Sequence, residues 1–263
     1  MNVCAVVPAA GRGSRLNLNR PKLLASITPH ETIWSLLRRR LVGLVDHIHV
    51  VLAPHDRDAF QQVLDDESKG REAHQPHHEP RVSIGIQEKP TGMGDAIFCG
   101  YPVWSQAKVV IVVWGDQVHV SHGTFRAGLQ WHQHAPKRIV LPLVPLPQPY
   151  VEYVFDPDGQ LTTVRQTREG DTCQPGGLGD VGTFILSTDG LGEEWTRYRA
   201  ACCRGDETGE INFLPFLVHL ASHQWQVVSL PITDPLQARG INTPSDLEFF
   251  RALYATRPGE TSL

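Results

Sequence analysis

Val6-Val7-Pro8-Ala9-Ala10-Gly11-Arg12-Gly13-Ser14-Arg15, followed by Pro21-Lys22-Leu23-Leu24, decides how this chain is read. An apolar run from Val3 to Val7 ends at a proline, and two small residues and two glycines follow, with cations at Arg12, Arg15, Arg20 and Lys22. A buried strand that runs into a glycine-rich turn offers backbone N–H groups to an anion without side-chain obstruction. The cations supply charge of the kind a polyphosphate needs. Two readings fit the stretch by itself: an anion-binding turn, or a tight strand-to-helix turn with a solvated basic edge.

Further apolar runs rich in Val and Ile lie at 48–53, 82–86, 109–114, 139–144, 181–186 and 226–230. Continuous rather than alternating runs predict strands buried on both faces, as in a parallel sheet covered by helices. Helical spacing appears over 33–44, 56–64, 95–104, 123–133, 211–222 and 244–254, the last behind the capping sequence Thr243-Pro244-Ser245-Asp246. The alternation predicts an α/β, doubly wound sheet. One stretch breaks the rhythm: Val151–Phe155 and Leu161–Gln166 flank Asp156-Pro157-Asp158-Gly159 and predict a β-hairpin, inserted after the fifth core strand as a lobe over the strand ends.

A chain of 263 residues with a formal net charge of −4 gives no support to a nucleic-acid or acidic-membrane partner, and no run is long enough to span a bilayer. The five cysteines form no C-x-x-C pair; Cys4 and Cys99 lie in apolar runs and are expected to be buried free thiols, which fits a reducing compartment. With no basic n-region at the start, a cytoplasmic protein is expected. His74, His77 and His78 fall in a polar, proline-containing stretch read as a surface loop, and none of the thirteen histidines is assigned a function. Residues 256–263 are expected to form a loose tail.

Three more clusters fall at strand ends, where open α/β sheets bind their ligands. Gln87 offers an amide suited to a base edge, and Gly92 and Gly94 follow it. Val109–Val113 leads through Trp114-Gly115 to Asp116, a hard oxygen ligand suited to Mg²⁺ beside phosphates, or a capping residue. Asn242, in Gly240-Ile241-Asn242-Thr243, can supply a neutral oxygen ligand or cap the last helix.

The order P-A-A-G-x-G-x-R, P-K-x-L, Q-(x)4-G-x-G-x-A, V-V-x-G-D and G-I-N-T resembles the sugar-1-phosphate nucleotidyltransferases. Its nearest likeness is to the uridylyltransferase (pyrophosphorylase) domain of the GlmU-type N-acetylglucosamine-1-phosphate uridylyltransferases, over about residues 3–254. The resemblance implies a Rossmann-like GT-A type fold in a single nucleotidyltransferase domain over 1–255, with a mixed, mostly parallel sheet and a hairpin lobe near 150–170. It implies nucleotide binding by Ala9, Ala10, Gly11, Gly13, Gln87 and Gly92, catalytic contacts from Arg15, Lys22 and Asp116, and Mg²⁺ held by Asp116 and Asn242. The reaction implied is attack by a sugar 1-phosphate oxygen on the α-phosphorus of an NTP, UTP favoured, with pyrophosphate leaving. Such a transfer needs positioning and charge neutralisation more than a covalent nucleophile.

The acceptor side departs from that pattern. Val151 replaces the glycine of a Tyr-Gly-Arg turn, Gln166 stands where the family has a Glu, and Asp180 where it has an Asn. All three remain candidate acceptor contacts, but N-acetylglucosamine 1-phosphate is not the expected acceptor; a cyclitol phosphate or phosphonate, with CTP or a purine NTP, is an alternative. No hexapeptide repeat follows the last helix, so no acetyltransferase activity is expected. Glu210 has two readings, an acceptor contact or an exposed acid at a helix start, and the second is favoured. An NAD(P)-dependent Rossmann enzyme is excluded by Leu16 at the third glycine position and by the absence of an acid after the second strand, at Leu52-Ala53-Pro54. A non-catalytic nucleotide sensor would not need Arg15, Lys22, Asp116 and Asn242 together.

Overall fold

A computed structural model describes residues 2–11, 16, 20–69, 79–201 and 204–256. The chain runs β1 (Val3–Ala9), α1 (Ile33–Leu41), β2 (His47–Leu52), α2 (Arg57–Lys69), β3 (Arg81–Ile86), α3 (Met93–Cys99), α4 (Tyr101–Trp104), β4 (Val109–Val113) and α5 (His122–His132). It continues through β5 (Arg138–Pro145), β6 (Val151–Phe155), β7 (Leu161–Gln166), β8 (Leu178–Asp180), β9 (Thr183–Ser187), α6 (Leu191–Ala201), α7 (Leu214–Ser222), β10 (Gln226–Pro231) and α8 (Pro244–Ala255).

The strands form one sheet in the order β3-β2-β1-β4-β9-β5-β8-β6-β7, with β10 against β5. β1 pairs in parallel with β2 and β4, β2 with β3, and β5 with β10. The mixed character comes from β9, which lies antiparallel between β4 and β5, and from β8 and the hairpin strands, which pair antiparallel beyond it. Its apolar run reads the same in either direction, so periodicity alone does not set its polarity. β6 and β7 form the expected hairpin, with Gly159 at φ +80° in its turn. β8 pairs with both β5 and β6, tying the hairpin lobe to the core.

Each strand of the centre is buried on both faces. Val3, Ala5 and Val7 of β1 point into one apolar layer with Trp34, Leu37, Phe125 and Phe250. Cys4 and Val6 point into the other, with Trp104, Phe184, Trp195 and Phe216. Helix α1 is set by a reciprocal cap: the Thr32 hydroxyl accepts from Ser35 N–H, and the Ser35 hydroxyl accepts from Thr32 N–H. At α8 the same exchange between Thr243 and Asp246 fixes the helix start.

Three expectations are corrected. The helix expected over 211–222 begins only at Leu214, because Ile211 spends its backbone on long-range bonds: its N–H donates to Thr91 O, and its carbonyl accepts from Gly94 N–H. Pro215 then sits in the first turn, where no intrahelical donor is needed. Cys99 is exposed rather than buried, at the end of α3. Helix α6 has no counterpart in the sequence reading, since Glu193, Glu194, Arg197 and Arg199 blur its apolar face.

Two imidazoles are sealed in this frame. His49 (2% exposed) and His132 (1% exposed) each have one ring nitrogen without a partner among the described residues. Burial lowers both from 6.5 to about 4. Between those values the unfolded chain binds protons at these sites that the folded chain does not, so stability is complete above pH 6.5 and falls as pH drops toward 4. Each site contributes a loss of order 3 kcal/mol across that window. The expected result is that His49→Gln removes about one proton from the uptake on unfolding near pH 5, read as a shallower slope of unfolding free energy against pH; an unchanged slope contradicts it.

Candidate active site

The carboxyl ends of β1, β3 and β4 open into a cavity of about 830 Å³. Pro8 in β1 and Ala10 and Gly11 in the turn after it line the cavity, with Gln87, Pro90 and Gly92 from the turn after β3 and Met93 at the start of α3. Trp114, Gly115 and Asp116 enter after β4, and Gly240 and Asn242 from the segment before α8. The hairpin side adds Val151, Gln166, Arg168 and Asp180, and the loop before α7 adds Glu210 and Asn212.

The structure therefore brings most of the motif residues to one place. Ala9 ends β1 with its side chain against Gly115, so the wall there is made by its neighbours. Gly13 and Arg15 lie outside the described residues, as do His74, His77 and His78.

Asp116 sits at the centre of the charged part. Its Oδ2 accepts from Lys22 Nζ at 3.2 Å, and Lys22 Nζ also reaches Asn242 Oδ1 at 3.5 Å. Asp116 Oδ1 is buried and has no hydrogen-bond partner among the described residues. The backbone carbonyl of Asp116 accepts from Ile241 N–H at 3.0 Å, which locks the β4 end to the Asn242 segment. Gly240 lies against the carboxylate: a Cβ there would stand 3.0 Å from Asp116 Cγ, so a side chain would press on the group. Asn242 does not cap α8, because Thr243 does; the Asn242 N–H instead donates to Asp246 Oδ2. Its side-chain oxygen is left facing Lys22.

Gln87 donates from Nε2 to Gly92 O at 3.0 Å, which leaves its carbonyl oxygen without a protein partner among the described residues. Gly92 holds φ +128°, and a Cβ there would meet the Ile211 backbone at 2.6 Å. Only glycine fits that position. Trp114 packs against Phe184 and Phe213 with ring centroids 4.9 and 5.9 Å away, while part of it faces the cavity.

The hairpin side is held by polar contacts that sequence reading did not find. Asp180 accepts from Gly182 N–H at 2.7 Å and from the buried Tyr153 hydroxyl at 3.0 Å, so both its oxygens are already engaged. Burial pushes the Asp180 carboxyl up, these hydrogen bonds oppose the shift, and the charge of Asp116 adds to it. Glu169 would be raised by burial, but bonds from the Thr208 hydroxyl, the Asn212 amide and the Thr208 and Glu207 N–H groups hold it below the usual range. Glu210, expected as a solvated acid, pairs with Arg168 at 2.6 Å on the cavity wall. Gln166 is 5% exposed, and its side-chain amide bonds to no described residue. The signals for Glu169, Arg168 and Tyr153 lie in partners 27 to 43 residues away, which no local spacing displays.

Residues 5–149 match the family model described as a MobA-like NTP transferase domain. The chain is 24% identical over 254 residues to the bifunctional protein GlmU of Acidithiobacillus ferrooxidans, covering 95% of this chain and 51% of that one. It is 24% identical to the bifunctional protein GlmU of Pseudomonas fluorescens over 98% of this chain and 53% of that one, and to that of Aquifex aeolicus over 92% and 51%. The chain spans about half the length of the curated relatives it matches. With more than half of its residues under the family model, on a mixed sheet of this order, the chain belongs to the MobA-like NTP transferase family and is a nucleotidyltransferase.

Proposed function

We propose that this chain joins the nucleotidyl group of an NTP, preferably UTP, to the phosphate of a sugar 1-phosphate or a similar phosphorylated small molecule, releasing pyrophosphate. The observation that carries the reading is Asp116, with one buried oxygen unpartnered among the described residues and the other held by a lysine that also touches Asn242. A carboxylate and an amide oxygen converging on a cationic group form the hard donor set that Mg²⁺ takes beside phosphates. The position already accommodates positive charge, so the residues fit the ion. Bound there by Asp116 and Asn242, Mg²⁺ would neutralise charge on the triphosphate.

The chain's own groups do the rest. Gly11 and Ala10 let backbone approach the phosphates, with Gly13 and Arg15 proposed to act beside them. Lys22 would exchange its bond to Asp116 for the α-phosphate, where its charge stabilises the transition state. Gln87 presents a free carbonyl oxygen, which matches the imide N–H of uracil and not the bare N3 of cytosine. The acceptor would lie under the hairpin, against the free Gln166 amide and the Val151 backbone. Asp180 would shape that pocket through Tyr153 and Gly182, since its oxygens are engaged. These contacts do not reproduce the charge pattern of the resembled family, which supports an acceptor other than N-acetylglucosamine 1-phosphate.

The test is pyrophosphate release with the ribonucleoside triphosphates and dTTP against a panel of sugar and cyclitol 1-phosphates. Release with a UTP pair is expected, and no release from any pair by folded protein with Mg²⁺ contradicts the proposal. Asp116→Ala is expected to lower kcat by roughly 10³-fold or more, the scale of losing a central charge-stabilising group, with the thermal midpoint little changed; near-normal turnover contradicts the metal assignment. Lys22→Met is expected to lower turnover yet raise nucleotide-free Mn²⁺ affinity about three- to tenfold, because the competing ion pair is gone. Equal or weaker Mn²⁺ binding in that variant, read by electron paramagnetic resonance, contradicts it.

A further inference from the structure

Behind the cavity, α6 and the end of α7 bring together three groups that take no part in lining it. Glu194 on α6 is a carboxylate only 4% exposed. Its Oε2 stands 3.2 Å from His219 Nε2, and its Oε1 accepts from Arg197 at 2.6 Å. His223, directly after α7, stacks on His219 with ring centroids 4.0 Å apart. One ligand atom from each of Glu194, His219 and His223 lies within 4.8 Å of the others.

Two imidazoles and one carboxylate make a donor set that Zn²⁺ takes, with water completing the tetrahedron. At bond lengths of about 2.0–2.1 Å, neighbouring ligand atoms in a tetrahedron stand roughly 3.4 Å apart. The Glu194–His219 spacing already meets that edge, and the small closure that remains falls to His223, which is exposed. The outer partners are also in place. His223 Nδ1–H donates to the His219 carbonyl at 2.8 Å, which leaves Nε2 as the nitrogen with a free lone pair, and Arg197 holds the second Glu194 oxygen. Second partners of this kind fix ligand orientation in metal sites.

We propose that Glu194, His219 and His223 form a site for a divalent transition cation of the zinc class, clipping α6 to α7. The clip would brace the cavity floor from behind. Trp195 of α6 meets Phe216 of α7 edge to face at 5.2 Å, and α7 leads directly from Asn212 and Phe213, which line the cavity. The site is separate from the Asp116 centre and does not depend on the nucleotide reading.

The experiment is calorimetric titration of the chelator-stripped full chain with ZnCl₂, in millimolar Mg²⁺ to occupy hard oxygen sites, with thermal unfolding in parallel. One equivalent bound at micromolar affinity or tighter is expected, with a raised midpoint. His223→Ala, at an exposed position outside the cavity, is expected to remove that equivalent or weaken it by more than about tenfold, abolish the midpoint rise and leave metal-free stability intact. His219→Gln is expected to do the same. No uptake by the wild-type chain, or uptake unchanged in both variants, overturns the site.

Discussion

The contact between Lys22, Asp116 and Asn242 is where the architecture and the chemistry meet. Asp116 reaches its place because β4, buried on both faces, ends at the same edge as β1 and passes through a glycine that accepts Ala9 at close range. Asn242 reaches it because Ile241 N–H bonds to the Asp116 carbonyl and the Thr243–Asp246 cap fixes the start of α8. Lys22 arrives from the far side of the glycine turn, and 94 and 220 residues separate it from its two partners. A carboxylate held in a part-buried position without full hydrogen bonding costs free energy unless a cation compensates it. Lys22 meets that demand in the free protein, and we propose that a metal ion meets it when the triphosphate is bound.

The other half of the cavity is built on different principles. The hairpin of β6 and β7 is a two-stranded ribbon, marginal without support. β8 supplies one support, and Glu169 supplies another by gathering Thr208, Asn212 and two backbone N–H groups. Arg168 and Glu210 close the ring across the wall. This side of the cavity is thus shaped both by polar bonds between the lobe and the loop before α7 and by packing of Tyr153, Leu161 and Val164 against Phe213 and Leu217.

Much of the strand-end side of the cavity was legible because each strand-end motif carries its own punctuation. Apolar runs followed by Gly-rich turns, a terminal Asp and a capped helix locate themselves, and the parallel strands β1 to β4 bring their ends together. The direction of β9 was not legible, since a run buried on both faces has no pattern that encodes polarity. The late start of α7 depends on Ile211 bonding to the Gly92 turn, a contact across 120 residues. Glu169 and Tyr153 looked like ordinary hairpin residues, and Glu194, His219 and His223 like scattered polar ones, because only folding sets their neighbours. Asp180 was legible as a departure from the family pattern; that its oxygens are spent on Gly182 and Tyr153 was not.

The central claim is that the Asp116–Asn242 position exchanges a lysine for a metal ion when nucleotide binds. Anomalous diffraction from crystals grown with Mn²⁺ and a non-hydrolysable UTP analogue tests it most directly. An anomalous peak in contact with Asp116 and Asn242 is expected, with Lys22 moved onto the phosphates. A peak elsewhere, or Lys22 still bonded to Asp116 beneath a bound triphosphate, would contradict it.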